Sequence, residues 1–139
     1  LLYKIVSKKI PWPLGAFEYS RSYGSIDNLM FIISELIHNN EISTGVFNVS
    51  DDTPLSTNTI ISIISESHNR TAKIWNVPKK LISFTAKLGD ILHLPLNSER
   101  LQKLTDSFVV SNNKIKSAIG KPLPISSKDG LMKTFNSFK

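Results

Sequence analysis

The residue best suited to chemistry in this sequence is Arg21, which lies in the segment S-R-S-Y-G-S-I-D-N-L at positions 20–29. An arginine carries a planar, permanently charged fork that suits phosphate oxygens. A lone arginine in a loop is more commonly a surface ion-pair residue. Arg21 is nevertheless held near a rigid element, because Ser25 or Asp27 can cap a helix that starts shortly after it. A side chain that reads a ligand belongs on such a rigid element. Arg21 is therefore a candidate phosphate-binding residue.

Other residue types that carry catalysis are not arranged for it. The three histidines are far apart in sequence and lack metal-ligand spacing. The absence of cysteine excludes disulfides and thiolate metal sites. No glycine-rich phosphate loop, nucleophile elbow or Tyr-x-x-x-Lys pair is present. The adjacent Asp51 and Asp52 precede Thr53 and Pro54 and are interpreted as a turn. We therefore expect no catalytic residue and no metal site in this segment.

The helix that follows Arg21 is predicted over 26–38, from apolar residues at three- and four-residue spacing. These residues are Leu29, Met30, Ile32, Ile33, Leu36 and Ile37. Burial of each such side chain contributes roughly 1.5–3 kcal/mol before the loss of entropy. We therefore expect this wide apolar face to lie in a core.

The rest of the chain alternates between helix and strand patterns. Further helices are predicted over 2–9, from Ser56 to about His68, from Pro78 to Leu92, after Asn97 or Ser98, from the cap Ser111 to Gly120, and after the cap Ser126. Strands are predicted over 45–50, 71–77 and 108–110, with 14–17 as strand or loop. This alternation predicts an α/β fold in which helices pack on short strands.

Composition bounds the class of protein. The 139 residues suffice for one domain with a core. The net charge of +6 comes from scattered lysines without interleaved aromatic residues, so nucleic-acid binding is a minor alternative. No apolar run approaches the length of a membrane span and no signal peptide is visible, which favours a cytoplasmic location. The sequence starts inside an amphipathic helix pattern, so we expect it to be part of a longer protein.

Several motifs occur in an order that resembles a known family. They are I-P-W-P-L-G-A at 10–16, S-R-S-Y-G-S-I-D-N-L at 20–29, V-F-N-V-S-D-D-T-P-L-S-T at 46–57, F-V-V-S-N-N-K-I-K-S-A-I-G-K-P at 108–122 and D-G-L-M-K-T at 129–134. Together they resemble the C-terminal part of extended short-chain dehydrogenases/reductases, the NAD-dependent nucleotide-sugar epimerase/dehydratase family. The similarity is greatest to the UDP-sugar 4-epimerases of bacterial surface-polysaccharide pathways.

The resemblance implies that residues 1–139 are the substrate-binding domain. A separate N-terminal Rossmann domain would hold NAD and the catalytic tyrosine and lysine, so this chain alone is expected to be inactive. Arg21 matches the arginine that contacts the diphosphate of a UDP-sugar. Pro13, Leu14 and Gly15 match the segment that lies along the uracil. Arg100 is the nearest candidate for a second diphosphate-binding arginine, although the Gly and Asp usual in that motif do not follow it.

The resemblance also implies partners and leaves alternatives open. The partners are a UDP-sugar and the Rossmann domain, with a homodimer left open. In the chain alone, the helix over 26–38 and the strand over 45–50 would expose the apolar surface that the Rossmann sheet covers, and we expect self-association or partial disorder. The alternative activities are nucleotide-sugar 4,6-dehydratase and 4-keto reductase. A non-catalytic binding or regulatory module of the same family is a third alternative.

Overall fold

The structure is a computed structural model of the chain, and it describes residues 2–92 and 97–138. Within these residues the architecture is mixed α/β and mostly helical. The elements in chain order are α1 (Leu2–Ser7), β1 (Ser20–Arg21), α2 (Ile26–His38), β2 (Leu55–Ser56), α3 (Thr57–Ser67), α4 (Lys79–Leu92), α5 (Ser98–Thr105), α6 (Asn113–Ile119) and α7 (Ser127–Asn136). The strands β1 and β2 pair as a two-stranded sheet. The coarse prediction of an α/β class is confirmed.

Short-range capping signals place four helix ends where the sequence predicts them. Ser25, Ser56 and Ser126 are the N-caps of α2, α3 and α7, each in an extended backbone conformation. Each serine Oγ accepts a hydrogen bond from the N–H three residues later, at 3.1 to 3.3 Å. Gly120 ends α6 with a φ of 69°, a left-handed conformation that glycine adopts without a steric penalty. These predictions are confirmed because each depends only on nearby backbone groups.

The predicted N-cap of α6 is wrong by one residue. The residue before α6 is Asn112 rather than Ser111, and its side chain does not cap the helix. Instead, Nδ2 of Asn112 donates to the carbonyl of Ser50 at 2.9 Å and to Oδ1 of Asp52 at 2.8 Å. Lys116 on α6 hydrogen-bonds the same carboxylate and holds the pKa of Asp52 below its usual value. The Oγ of Ser111 still accepts from the N–H of Asn113, the first residue of α6, at 3.3 Å, while the Asn112 side chain contacts the 50–52 turn.

The predicted strands over 45–50, 71–77 and 108–110 do not form. Residues 45–50 are irregular, and Ile74, Asn76 and Phe108 take part only in isolated bridges. Alternating apolar and polar residues show that a segment can form a strand with one buried face. A strand forms only when another strand lies beside it in register. In the described part of the chain, regular pairing is confined to β1 and β2, of two residues each.

The chain folds into two compact units. The first unit comprises Leu1–Ser20 and Ser56–Ser107, and the second comprises Arg21–Leu55 and Phe108–Lys139. In the first unit α1 packs on α3 and α4 packs on α5. Its core contains Trp12, Leu14, Ile61, Ile82, Ala86 and Leu101.

In the second unit α2 packs on α6 around Ile32, Ile115 and Ile119. Of the apolar face predicted on α2, only Ile32 is buried. The other five residues, Leu29, Met30, Ile33, Leu36 and Ile37, are 37% to 68% exposed. The expectation that the whole face lies in a core is therefore wrong for this chain, whose small second unit covers one side of the helix. The exposure itself agrees with the expectation that the chain alone leaves apolar surface uncovered.

The C-terminal ends of α1 and α3 share one geometry. The N–H of Ile10 donates to the carbonyl of Ile5, and Lys9 between them has a φ of 60°. At the end of α3 the N–H of Arg70 donates to the carbonyl of Ser65, and Asn69 has a φ of 55°. Both ends are Schellman motifs, in which a left-handed residue lets the chain satisfy its own last carbonyls.

Replacing Lys9 by glycine is expected to stabilise the first unit. A lysine in the left-handed region carries a steric penalty that glycine lacks, so Lys9→Gly should raise the free energy of unfolding by about 0.5–1 kcal/mol. The measurement is urea denaturation followed by far-UV circular dichroism. Lys8→Gly is the matched control, because it removes the same charge at a residue without a positive φ. Lys8→Gly should destabilise the chain, and a gain equal to that of Lys9→Gly would contradict the interpretation.

Candidate functional site

Arg21 lies at the end of β1 in the second unit, on a segment tied to a neighbouring part of the chain. Arg21 itself forms an isolated parallel bridge with Phe108. The N–H of Ser22 donates to the carbonyl of Phe108 at 2.9 Å. The Oγ of Ser22 accepts from the N–H of Val110 at 2.9 Å and lies 3.2 Å from the Val110 carbonyl. The backbone that carries Arg21 is therefore held by the extended segment at 108–110.

Residues 23–25, which connect β1 to α2, are held by hydrogen bonds with Asp51. The N–H of Asp51 donates to the carbonyl of Tyr23 at 2.6 Å. Its carboxylate accepts from the backbone N–H of Ser25 at 3.0 and 3.1 Å, from the Oγ of Ser25 at 3.1 Å and from the Nδ2 of Asn28 at 2.7 Å. Asp51 is only 3% exposed, and a buried carboxylate is tolerated when its oxygens accept several hydrogen bonds. Asp51 therefore fixes the entry to α2 from outside the helix.

Asn28 extends this network to the start of α7. Its Nδ2 also donates to the carbonyl of Ile125 at 3.0 Å, and its Oδ1 accepts from the N–H of Ile125 at 3.2 Å. Gly130 on α7 lies so close that a Cβ there would be 2.6 Å from the Cβ of Ser25. Since real Cβ atoms do not approach so closely, Gly130 permits α7 to pack against the N-cap of α2. We name Ser25, Asn28 and Asp51 with the backbone of Ile125 the Asp51 network.

The electrostatics around Arg21 involve its neighbour Tyr23. The Arg21 side chain is half-buried. Burial raises the pKa of the Tyr23 hydroxyl, and the positive charge of Arg21 opposes this rise. The backbone that carries the guanidinium is held on both sides, by the 108–110 segment and by the Asp51 network. This arrangement can place a charge-assisted donor for an anionic group.

The residues predicted to lie along a uracil are in the first unit. Pro13 is exposed, whereas the side chain of Leu14 is 4% exposed and belongs to the core. A ligand at this segment would therefore meet the Pro13 ring or the backbone rather than the Leu14 side chain. Gly15 donates its N–H to the carbonyl of Trp75 at 3.0 Å and accepts at its carbonyl from the Nδ2 of Asn58 at 2.9 Å.

Gly15 is also required for packing within the first unit. A Cβ at this position would lie 2.5 Å from the side chain of Ile74 and 2.9 Å from the carbonyl oxygen of Trp75. The glycine lets the 12–15 segment approach the 73–76 segment, where Trp12 and Ile74 also form a bridge. Backbone packing by itself is therefore a sufficient reason for a glycine at position 15. The predicted position of Gly15 beside a uracil stays a prediction.

The predicted site residues are thus distributed over both units. Pro13, Leu14 and Gly15 are contiguous in the first unit, and Arg21 belongs to the second. The backbone of Arg100 lies in α5, but its side chain lies outside the described part of the structure. The predicted diphosphate-binding roles of both arginines stay predictions.

The sequence reasoning missed the role of Asp51. It interpreted Asp51 and Asp52 together as turn residues, and Asp52 is indeed exposed in a bend. Asp51 is instead the buried acceptor of the network. No local signal distinguishes the two adjacent aspartates, because the donors to Asp51 come from Asn28 in α2 and from its N-cap Ser25, 23 and 26 residues away in the chain.

Comparisons with known proteins add no relative. No protein-family model matches the chain, and no curated protein or solved structure matches it significantly. The described residues contain no group of three or more histidine, cysteine or acidic side chains that could hold a metal ion. Over the same ranges, none of the helices has the length and hydropathy needed to cross a bilayer. The family resemblance therefore rests on the sequence motifs alone.

Removal of the Asn28 amide is expected to disrupt the Asp51 network. Asn28→Ala leaves the buried Asp51 carboxylate with one donor fewer and leaves the backbone of Ile125 without its partner. The expected loss in the free energy of unfolding is about 3 kcal/mol, typical of buried groups deprived of hydrogen bonds. The measurement is chemical denaturation with an aromatic fluorescence readout. Asn113→Ala, at an exposed position of α6, is the control and should change stability by less than about 0.5 kcal/mol.

Proposed function

We propose that this chain is the UDP-sugar-binding part of an NAD-dependent nucleotide-sugar 4-epimerase of the extended short-chain dehydrogenase/reductase family. The observation that carries the proposal is Arg21 on a backbone held by the 108–110 segment and the Asp51 network. A UDP-sugar carries about two negative charges on its diphosphate, and a guanidinium can bind two phosphate oxygens at once. The proposed role of Arg21 is to hold the nucleotide end of the substrate.

The redox chemistry of the proposed reaction lies outside this chain. NAD would accept and return a hydride at C4 of the sugar, and the inversion would follow from the sugar being presented by its other face. The chain contains neither the glycine-rich loop nor the Tyr-x-x-x-Lys pair that such chemistry requires. We therefore propose that a Rossmann domain in the same protein binds NAD, and that this chain contributes substrate binding, with Pro13 to Gly15 along the uracil and Arg100 as a second phosphate ligand.

The exposed face of α2 supports the proposed domain partner. Ile26, Met30, Ile33 and Ile37 recur along one face of the helix, and all of them are exposed. An apolar stripe of this length marks a surface that another part of a protein covers. We propose that the Rossmann domain covers it, and that the whole protein works in the cytoplasm, where nucleotide sugars are made.

Substitution of Arg21 tests the binding role. In the whole protein, Arg21→Ala should raise KM for a UDP-sugar by about 10- to 100-fold, because it removes charge-assisted hydrogen bonds worth about 1.5–3 kcal/mol. Arg21→Lys should have an intermediate effect, since lysine keeps the charge but loses the fork. The measurement is steady-state kinetics with UDP-glucose and UDP-N-acetylglucosamine.

Lys121→Ala is the control for charge, because Lys121 is a cation of the second unit whose ammonium pairs with Glu35 at 2.8 Å. It should leave KM unchanged. An unchanged KM in Arg21→Ala would reject the proposed role. Product analysis separates the alternatives: a 4-epimer supports the proposal, a 4-keto-6-deoxy sugar identifies a 4,6-dehydratase, a reduced sugar identifies a 4-keto reductase, and no turnover identifies a non-catalytic module.

The uncovered face of α2 should make the isolated chain self-associate. We expect the apparent mass from light scattering to rise with protein concentration. Met30→Glu combined with Ile37→Glu should restore a monomer, because both side chains are exposed on the apolar stripe. Ser34→Glu combined with Asn40→Glu adds the same charge at exposed polar positions and should leave association unchanged. A clean, concentration-independent monomer of the unaltered chain would contradict the expectation.

A further inference from the structure

The first unit contains a cleft that the proposed nucleotide-sugar site does not use. It lies between the C-terminal ends of α1 and α3 and has a volume of about 530 Å³, within the range of small-molecule sites. The residues that line it are Val6, Lys9, Ile10, Ile61, Ser65, His68, Asn69, Arg70, Thr71 and Lys73. None of the residues predicted to bind a UDP-sugar is among them.

The charge around this cleft is of one sign. Lys9, Arg70 and Lys73 line it, and among the residues that the structure describes no carboxylate does. Within residues 2–92 and 97–138, none of these three cations has a carboxylate within ion-pair distance. Several like charges around one concavity repel one another, and an anion bound among them relieves this repulsion.

The helix ends beside the cleft do not account for these cations. Cations near a helix C-terminus commonly compensate its unsatisfied carbonyls. Here the backbone already satisfies carbonyls at both helix ends: the N–H of Lys9 donates to the carbonyl of Val6 and the N–H of Arg70 to the carbonyl of Ser65, both at 2.9 Å. These carbonyls therefore do not require the side chains of Lys9 and Arg70 as donors.

The lining of the cleft is apolar next to these charges. Val6, Ile10 and Ile61 contribute aliphatic surface, and Ile10 remains 51% exposed. His68 adds a ring whose Nε2 lies 3.1 Å from the Oγ of Ser7 and whose centroid lies 5.4 Å from that of Tyr3. The ring is thus held in place at the edge of the aliphatic surface, and a flat or aliphatic ligand body can pack there.

We propose that this cleft binds a small organic phosphate, with its apolar body on Val6, Ile10 and Ile61 and its phosphate among Lys9, Arg70 and Lys73. Phosphate is favoured over a carboxylate because it carries between one and two charges near neutral pH and offers three acceptor oxygens to three cations. The concave, partly apolar lining favours a small molecule over a nucleic acid, whose backbone needs an extended basic track. This proposal is independent of the proposed epimerase function, since the two share no residue.

The test uses phenyl phosphate as the probe and the full chain as the protein. Titration followed by ¹H–¹⁵N NMR should shift the amides of residues 6–10 and 65–73. The variant combining Lys9→Gly, Arg70→Gln and Lys73→Gln should bind at least about tenfold more weakly, because it loses the charge-assisted donors. Lys9→Gly is expected to stabilise the fold, so the weaker binding would not result from unfolding.

The matched control combines Lys4→Gln, Lys80→Gln and Lys87→Gln, which remove the same charge from exposed positions of the first unit. It should bind within about twofold of the unaltered chain. Ile10→Ser should weaken the binding of phenyl phosphate. The affinity for inorganic phosphate, which is lower in the unaltered chain, should not change. Equal losses in both triple variants, shifts outside the cleft, affinity for inorganic phosphate equal to that for phenyl phosphate, or tighter binding of a single-stranded oligonucleotide would each overturn the proposal.

Discussion

The arrangement of the second unit depends on the hydrogen bonds that the buried carboxylate of Asp51 accepts. A charge removed from water requires hydrogen bonds to its oxygens, and Asp51 obtains them from Ser25 and Asn28. These donors belong to the start of α2, so the position of the helix and the position of the carboxylate determine each other. Because the N–H of Asp51 also binds the Tyr23 carbonyl, the same network reaches the extended segment that carries Arg21. The placement of Arg21, the candidate phosphate-binding residue, thus follows from a buried polar network rather than from apolar packing.

The side of α2 that faces away from the Asp51 network is apolar and exposed. Asn28 and Ile32 lie one turn apart on the buried face, where Ile32 packs in the small apolar core with Ile115 and Ile119. The stripe of Ile26, Met30, Ile33 and Ile37 remains exposed. A helix with apolar side chains on both its buried and its exposed face is typical of a position between two layers. One layer is the second unit described here. The proposed Rossmann domain would be the other layer. It would account for the apolar residues on the exposed face of α2.

The first unit offers a different means of binding an anion. Gly15 permits close backbone packing beside Trp12, so the segment predicted to lie along a nucleobase is itself part of a tightly packed structure. At the C-terminal ends of α1 and α3, Lys9 and Arg70 line one cleft together with Lys73. Backbone N–H groups, rather than these side chains, bond the carbonyls at the two helix ends. In the second unit the candidate is a single arginine on a backbone fixed by hydrogen bonds, whereas in the first unit three cations lie around an apolar lining. The two arrangements suit ligands of different size and shape.

The sequence by itself determined the features that depend on neighbours within about four residues. The serine caps of α2, α3 and α7 and the glycine that ends α6 formed as expected, because a cap needs only the backbone N–H or carbonyl groups beside it. The position of Arg21 directly before α2 was predictable for the same reason.

Only the tertiary structure decided which groups are buried and which segments pair. The segment at 45–50 has a strand-like pattern, but the described part of the chain places no strand beside it. Leu14, predicted to lie along a ligand, is part of the core. Two adjacent aspartates have opposite environments, because Asp51 meets the start of α2 while Asp52 faces solvent and Lys116. Burial and pairing depend on residues that are distant in the chain and are brought together by folding, so no local pattern could have distinguished these outcomes.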